Sequence, residues 1–339
     1  MRLSLFLIAF SLLTNVALTV DGEDVTTKQA GNKITPLKLS QDSARVAVAQ
    51  INIQPAQLVG GKDTADALIP WIERAAKDKV DLLVLPEYIL GAFHLKSPLI
   101  DKLCGLAKRH HVNIIVGGWE HYPEYEIRQP PLPGTYSNTV LAIGRNGKLA
   151  GKHRKMHAAV GPHSPYCWPP NPGEMGENTM VLGKANGVVD FDFGRVGLLT
   201  CYDGYFFESF QMPSLRGAEI LVWVNGRGGM VEPHIIQAAS FITCTHVVAS
   251  NQSIGCGSAI CSYPGWRLDQ AAPEPGSEAF LVGDLDLKEI RKQRLNNRML
   301  HQRRPEIYGP MTQSWKPWTA YPDIKPYSYD EAKQANPSK

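Results

Sequence analysis

The sequence predicts an α/β fold, a layered sheet with helices packed on it. Two observations carry that expectation: apolar strands alternate with amphipathic helices from residue 44 on, and reactive side chains follow several of those strands. Arg45-Val46-Ala47-Val48-Ala49-Gln50-Ile51 has the alternation and β-branching of a strand. Residues 64–78 then place Ala65, Leu68, Ile69, Ile72 and Ala75-Ala76 at helical spacing, and Asp81-Leu82-Leu83-Val84-Leu85 reads as a buried strand. A helix near 98–110 leads to a strand at 113–117. Asn146-Gly147 predicts a hairpin between 137–143 and 148–152, because both residues accept positive φ. Residues 157–178 are rich in Pro, Gly and His and read as a long loop. A second hairpin is expected from 188–193 and 196–200. Beyond Cys201 the pattern gives a helix (206–216), a strand (220–224), a helix (232–244) and a strand (246–251), with final strands near 257–262 and 279–286. No convincing linker interrupts 44–288. From 289 on the chain is basic, then rich in Pro, Trp and Tyr, and reads as a tail. Its Trp315, Trp318, Tyr321, Tyr327 and Tyr329 suit packing on a neighbouring subunit or on their own domain.

Composition narrows the class. The 339 residues are 43% apolar and 20% charged, enough to bury a large core without disulfide staples. The 35 basic residues nearly match the 32 acidic ones and form no dense block, so nucleic-acid binding is not suggested. Arg2 followed by the apolar run Leu3–Leu13 has the form of a signal peptide, with an uncleaved anchor and a buried helix as the competing readings. Residues 1–20 are therefore expected to direct export, to the periplasm or the medium, without stable membrane insertion after removal. Residues 21–43 read as a linker. Six cysteines (104, 167, 201, 244, 256 and 261) are irregularly spaced, and Cys256 and Cys261 are a candidate disulfide pair. No pair has the spacing of a zinc site.

Chemistry concentrates at three strand ends. Glu87 closes Leu83-Val84-Leu85-Pro86-Glu87, where partial desolvation raises a carboxyl pKa and suits it to acid/base work; a surface or capping glutamate is the alternative. Lys155 ends Gly151-Lys152-His153-Arg154-Lys155, a basic run that is either a solvated face or, beside a carboxylate, a buried oxyanion donor. Cys201 lies between a strand and a helix, where a helix N-terminus favours the thiolate; a structural cysteine is the alternative.

Taken in order with their surroundings, these segments resemble the nitrilase (carbon–nitrogen hydrolase) superfamily across about residues 44–308. The matching pieces are Leu83–Glu87, Arg154-Lys155-Met156-His157, Gly197–Asp203, Leu215-Arg216-Gly217-Ala218-Glu219 and Arg303-Arg304-Pro305-Glu306-Ile307-Tyr308. The resemblance implies a four-layer αββα sandwich, paired subunits that extend it (a homodimer or higher homo-oligomer), and no metal or organic cofactor. It also implies roles: Cys201 as nucleophile, Glu87 as proton carrier, and Lys155 with a backbone N–H after Cys201 as oxyanion donors. Residues 309–339 then form a Pro/aromatic tail outside the domain.

Amidase-like members carry a second glutamate soon after the lysine, which positions and binds the substrate. Here Met156 to Asn171 holds no acid, so the role is assigned to Glu174, with His157 or His163 as neutral substitutes. Cys201-Tyr202-Asp203-Gly204 with Glu208 is closer to the amidase-type branches than to true nitrilases. The expected reaction is hydrolysis of a small amide. Nitrile or N-carbamoyl hydrolysis, acyl transfer and a non-catalytic exported binding protein are the alternatives. Tyr202, Trp223 and Asn225 are candidate substrate-binding residues, and Asp203 is expected to orient backbone near the cysteine or to cap a helix.

Overall fold

The computed structural model describes residues 41–53, 63–127, 132–159, 177–272, 274–313 and 320. Residues 1–20, expected to be a signal peptide, most of the expected linker, Cys167, His163, Glu174 and the aromatic tail residues lie outside them. In chain order the strands are β1 (Ser43–Gln50), β2 (Leu82–Val84), β3 (Ala92–His94), β4 (Asn113–His121), β5 (Tyr136–Ile143), β6 (Leu149–Arg154), β7 (Gly187–Asp190), β8 (Arg195–Thr200), β9 (Ile220–Val224), β10 (His246–Ser250), β11 (Ala259–Cys261), β12 (Gln270–Ala271) and β13 (Ala279–Asp286). The helices are α1 (Thr64–Lys77), α2 (Pro98–His110), α3 (Phe207–Leu215), α4 (Pro233–Thr243), α5 (Leu287–Asn296) and α6 (Arg298–His301). None of the described helices is long and apolar enough to cross a membrane.

Two mixed sheets result. One runs β13-β1-β2-β4-β5-β6, with β3 beside β4, and the other runs β12-β11-β10-β9-β8-β7. Because successive strand residues point to opposite faces, each strand feeds two cores. Val46 and Val48 join Leu198, Val222 and Val248 in the core between the sheets, while Ala47 and Ala49 join Leu68, Ile72, Leu103 and Leu106 of α1 and α2. On the second sheet, Leu221, Trp223 and Val247 pack outward against Phe210 of α3 and Ile236 and Ala239 of α4. Helix, sheet, sheet, helix: this is the four-layer αββα sandwich.

Local chemistry explains the boundaries. Asp63 caps α1, accepting from Asp66 N at 3.0 Å while Asp66 Oδ2 accepts from Asp63 N at 3.2 Å. The β5–β6 connection places Gly147 at φ +80. Phe191 and Phe193, expected in a strand, leave β7 and fill the core between the sheets.

The region from 289 is not all tail. α5 buries Leu287 and Ile290 and uses its basic residues to tie the sandwich together. Arg294 Nη2 donates to Ser214 O at 2.7 Å, and Arg291 pairs with Glu219 at 2.5 Å. The candidate pair Cys256 and Cys261 is not disulfide-bonded: both thiols are free, as are those of Cys104, Cys201 and Cys244.

Leu198 lies wholly inside the core between the sheets, whereas Leu295 on α5 is 76% exposed. Leu198→Ala is therefore expected to destabilise by about 2–5 kcal/mol, and Leu295→Ala by less than about 0.5 kcal/mol. Urea unfolding of the two variants checks the contrast.

Candidate functional site

The strand ends meet at one rim. β2 and β3 both pair with β4, at Leu82↔Asn113 and at Ala92↔Trp119, and the chain between them passes over β4 carrying Glu87. That crossing is close: a Cβ on Gly117 of β4 would lie 2.8 Å from Glu87 Cα, so only glycine fits there. Glu87 N donates to Asn225 O at 3.1 Å, and Gln252 Nε2 donates to Glu87 O at 2.8 Å, fixing the backbone to the second sheet.

The Glu87 side chain is fully buried. Its Oε1 accepts from Asn138 Nδ2 at 2.6 Å and from Lys155 Nζ at 3.4 Å, while Oε2 is buried without a partner among the described residues. Burial pushes this carboxyl above the ordinary glutamate value; Lys155 opposes the shift and Glu177 reinforces it.

Lys155 directly follows β6 and is also buried, so it is not part of a solvated basic face. Its backbone N donates to Asn138 O at 2.9 Å. One residue of β5, Asn138, thus holds the Glu87 carboxylate through its side chain and Lys155 through its backbone. The ammonium reaches two carboxylates, Glu87 and, at shorter range, Glu177. Burial works against its charge, but Cys201, Glu177 and Glu87 together keep its pKa well above the usual lysine value.

Glu177 escaped the sequence reading, which took the first carboxylate after the lysine. The second one, three residues on, is the acid beside Lys155. Its Oε1 also accepts from Tyr88 Oη at 2.5 Å, and its Oε2 from Ala159 N at 2.6 Å. His157, expected as a neutral substitute, is engaged elsewhere: it bonds Asp203 and stacks on Phe206 with ring centroids 3.8 Å apart.

Cys201 follows β8 with φ +46, a left-handed backbone that is uncommon outside glycine, and opens a short 3₁₀ turn, Cys201–Tyr205. Trp223 Nε1 donates to Cys201 O at 2.8 Å from beneath, and a side chain at Gly204 would collide with the Trp223 ring. Burial, then the Glu87 carboxylate, push the thiol up to about 12, with Lys155 and Arg227 pulling the other way. The expectation that a helix N-terminus favours the thiolate is thus overturned. The turn here is too short to supply a strong dipole, and desolvation outweighs it.

Asp203 ties the cysteine turn to the lysine strand. Its Oδ1 accepts from Met156 N at 3.1 Å and His157 N at 2.9 Å, and its Oδ2 accepts from Thr200 N at 3.3 Å. His153 Nδ1 accepts from Gly187 N at 3.1 Å, which leaves Nε2 as the donor to Asp203 Oδ2 at 2.9 Å. Fully buried but so bonded, Asp203 is held below the ordinary carboxylate range, chiefly by His153 and His157 against the cost of burial.

Trp223 and Asn225, candidates for substrate binding, are fully buried. Trp223 supports the cysteine turn, and Asn225 links Glu87 N to Arg227, whose Nη2 donates to Asn225 Oδ1 at 2.6 Å. Tyr202 is partly buried, with its ring 5.4 Å from that of Tyr205. Arg227 also bonds Tyr205 and Glu232, a cluster the sequence reading did not single out.

A family profile described as carbon-nitrogen hydrolase matches residues 45–295. The chain belongs to this family. Its strand-end residues therefore stand in a carbon–nitrogen hydrolase of the nitrilase superfamily. A Pseudomonas protegens protein named "Hydrolase in pqqF 5'region" is 25% identical over 291 residues, covering 79% of this chain and 92% of that one. The "Deaminated glutathione amidase" of Dictyostelium discoideum is 29% identical over 202 residues, 54% of this chain and 66% of that one. A crystal structure of a carbon-nitrogen hydrolase from Helicobacter pylori G27 shares the fold at TM-score 0.63 with 20% identity, covering 81% of this chain and 100% of that one.

Asp203→Asn removes the charge that five hydrogen bonds serve. Its expected cost is about 1.5–3 kcal/mol at pH 7. Because the folded-state pKa is depressed, this contribution is present above the unfolded value and is lost as pH falls through the folded one. The stability gap from wild type should therefore shrink below about pH 4, which denaturant titrations at two pH values read directly.

Proposed function

We propose that the protein hydrolyses a small amide to ammonia and a carboxylic acid, with Cys201 as nucleophile, Glu87 as general base and acid, and Lys155 as oxyanion donor. The observation that carries the reading is the buried Glu87–Lys155–Glu177 cluster, whose charges act on Cys201. A thiol held that high does not attack as a preformed thiolate, so its proton must leave as the bond forms. Glu87 Oε2, buried and without a hydrogen-bond partner among the described residues, is the acceptor suited to it.

The steps follow from these groups. Cys201 Sγ adds to the carbonyl carbon as its proton passes to Glu87. The oxygen takes the electron pair and is stabilised by Lys155, aided by the Tyr202 N–H. Of the three Lys155 N–H groups, two meet Glu87 and Glu177, leaving the third for the oxyanion. Glu87 returns its proton to the nitrogen as the C–N bond breaks, and ammonia leaves a thioester on Cys201. Glu87 then takes a proton from water, whose oxygen attacks the thioester. As the C–S bond breaks, Glu87 returns this proton to Cys201 Sγ, and the carboxylic acid departs. Glu177 holds Lys155 in place and takes the role first assigned to Glu174. The relative named as an amidase supports an amide over a nitrile.

We propose also that residues 1–20 direct export and that copies pair through α3 and α4. Those helices expose Phe207, Met212 and Leu215, and Phe241 and Ile242 respectively. Sedimentation of the mature chain should show a dimer, and Phe241→Glu should shift it to monomer; a monomeric wild type contradicts the pairing.

Ammonia release by the mature protein from amides, nitriles and N-carbamoyl compounds tests the reaction. Release from amides that disappears in Cys201→Ala is expected, and release that persists in that variant removes Cys201 as nucleophile. Lys155→Ala should lower the rate by about 10²–10³. Since burial raises the Glu87 pKa and the base must be ionised, kcat/KM should rise with pH, with its midpoint above the ordinary carboxylate range. A pH–rate profile with its midpoint at or below that range removes Glu87 as the base.

A further inference from the structure

Hydrogen bonds around the Glu87 carboxylate close into a circuit. Lys155 Nζ donates to both Glu87 Oε1 and Glu177 Oε1. Tyr88 Oη donates to that same Glu177 oxygen at 2.5 Å. Asn138 Nδ2 completes the loop, donating to Tyr88 Oη at 3.2 Å and to Glu87 Oε1 at 2.6 Å. Chemistry fixes these directions. An ammonium only donates and an ionised carboxylate only accepts, while a phenol hydroxyl does both. A side-chain amide has two N–H donors on one nitrogen, and here one meets Glu87 and the other Tyr88. Turning the amide over would set its oxygen against the carboxylate, two acceptors in contact, so the network requires this orientation.

Rigid backbone stands behind the amide. Val140 and Ala142 of β5 lie in the core between the sheets, and strand alternation puts Asn138, fully buried, on the same face. Pairing fixes the register on both sides, Trp119↔Asn138 toward β4 and Thr139↔Arg154 toward β6. Just beyond β6, Lys155 N donates to Asn138 O. Asn138 thus meets the base with its side chain and the lysine with its backbone. With Asn138 and Lys155 both donating to Glu87 Oε1, transfer of the thiol proton falls to Oε2.

The charged and titratable groups facing Glu87 are Lys155 after β6, Glu177 in its 3₁₀ turn, Tyr88 on the same segment and Cys201 after β8. Burial acts most strongly and raises the Glu87 value; Lys155 lowers it, Glu177 raises it, and the bonds from Asn138 and Tyr88 lower it. The Asn138 amide is a neutral donor, so it favours the ionised base without adding a charge to the cluster.

We propose that Asn138 is a positioning residue for this hydrolase: its amide ties down Glu87 Oε1, joins the two carboxylates through Tyr88, and leaves Oε2 to serve Cys201. The inference rests on the proposed amide hydrolysis with Glu87 as base. It is tested by the pH dependence of kcat and kcat/KM for ammonia release by wild type, Asn138→Ala and Tyr88→Phe. Loss of the amide should lower kcat by about tenfold or more, with KM little changed, because the bond it removes is made to a charged group. The midpoint of the kcat/KM profile should also move to higher pH, since a donor that favours the ionised carboxylate is gone. Tyr88→Phe keeps the ring on Trp119, with centroids 4.6 Å apart, and removes only the hydroxyl. It opens the circuit at a second point and should move the midpoint in the same direction. A midpoint that stays at the wild-type pH in folded Asn138→Ala, whatever the loss of rate, makes the residue structural alone and overturns the inference. Should Asn138→Ala fail to fold, an unmoved midpoint in Tyr88→Phe overturns it equally. If wild type releases no ammonia from any amide, the amidase reading itself fails, and this inference with it.

Discussion

A lysine ammonium buried out of reach of water carries a large desolvation cost unless carboxylates surround it. In this protein that cost is met by Glu87 and Glu177, and much of the rim is arranged to bring them there. Glu87 arrives on the chain between β2 and β3, which can pass over β4 only because Gly117 has no side chain. Lys155 arrives at the end of β6, held to β5 through Asn138 O. Tyr88 fixes Glu177, so the second carboxylate cannot drift from the ammonium. Removing either acid leaves a buried charge undercompensated, which makes the cluster a constraint on the fold as well as a source of chemistry.

The second sheet contributes through rigidity. Cys201 takes a left-handed backbone conformation that costs free energy, and three neighbours hold it there. Trp223 grips the carbonyl from the core of its sheet, Gly204 makes room for that ring, and Asp203 ties the turn to Met156 and His157. Through Asp203, the turn bearing the cysteine and the strand bearing the lysine move as one unit. This lets two separate sheets present a single set of reactive groups with small positional error.

Much of this was legible in the amino-acid order. Strand alternation in Val46–Ala49 and helical spacing in Leu68–Ala75 placed both faces of the first sheet correctly, because burial enforces those periods. Glu87, Lys155 and Cys201 stood out as reactive groups after apolar strands. What stayed hidden depends on contacts distant in sequence. Asn138 lies within a run of strand residues, and nothing local marks it as the partner of a carboxylate 51 positions earlier. Glu177 follows a Pro- and Gly-rich stretch whose path no periodicity describes. α5 reads as a charged tail until Arg291 and Arg294 are seen to bond Glu219 and Ser214. The cysteine's pKa was misjudged because helix position is visible in sequence, whereas desolvation by three-dimensional packing is not.

The measurement that bears most directly on this account is intact-mass analysis of the protein quenched in acid during turnover of an amide it hydrolyses. The account predicts a species heavier by the acyl group, with the increment on the peptide containing Cys201 and absent from Cys201→Ala. Saturating amide, and quenching at several times after mixing, should give its largest fraction. Turnover with no acyl adduct on Cys201 under any of these conditions, or an adduct at another residue, would contradict covalent catalysis by this cysteine.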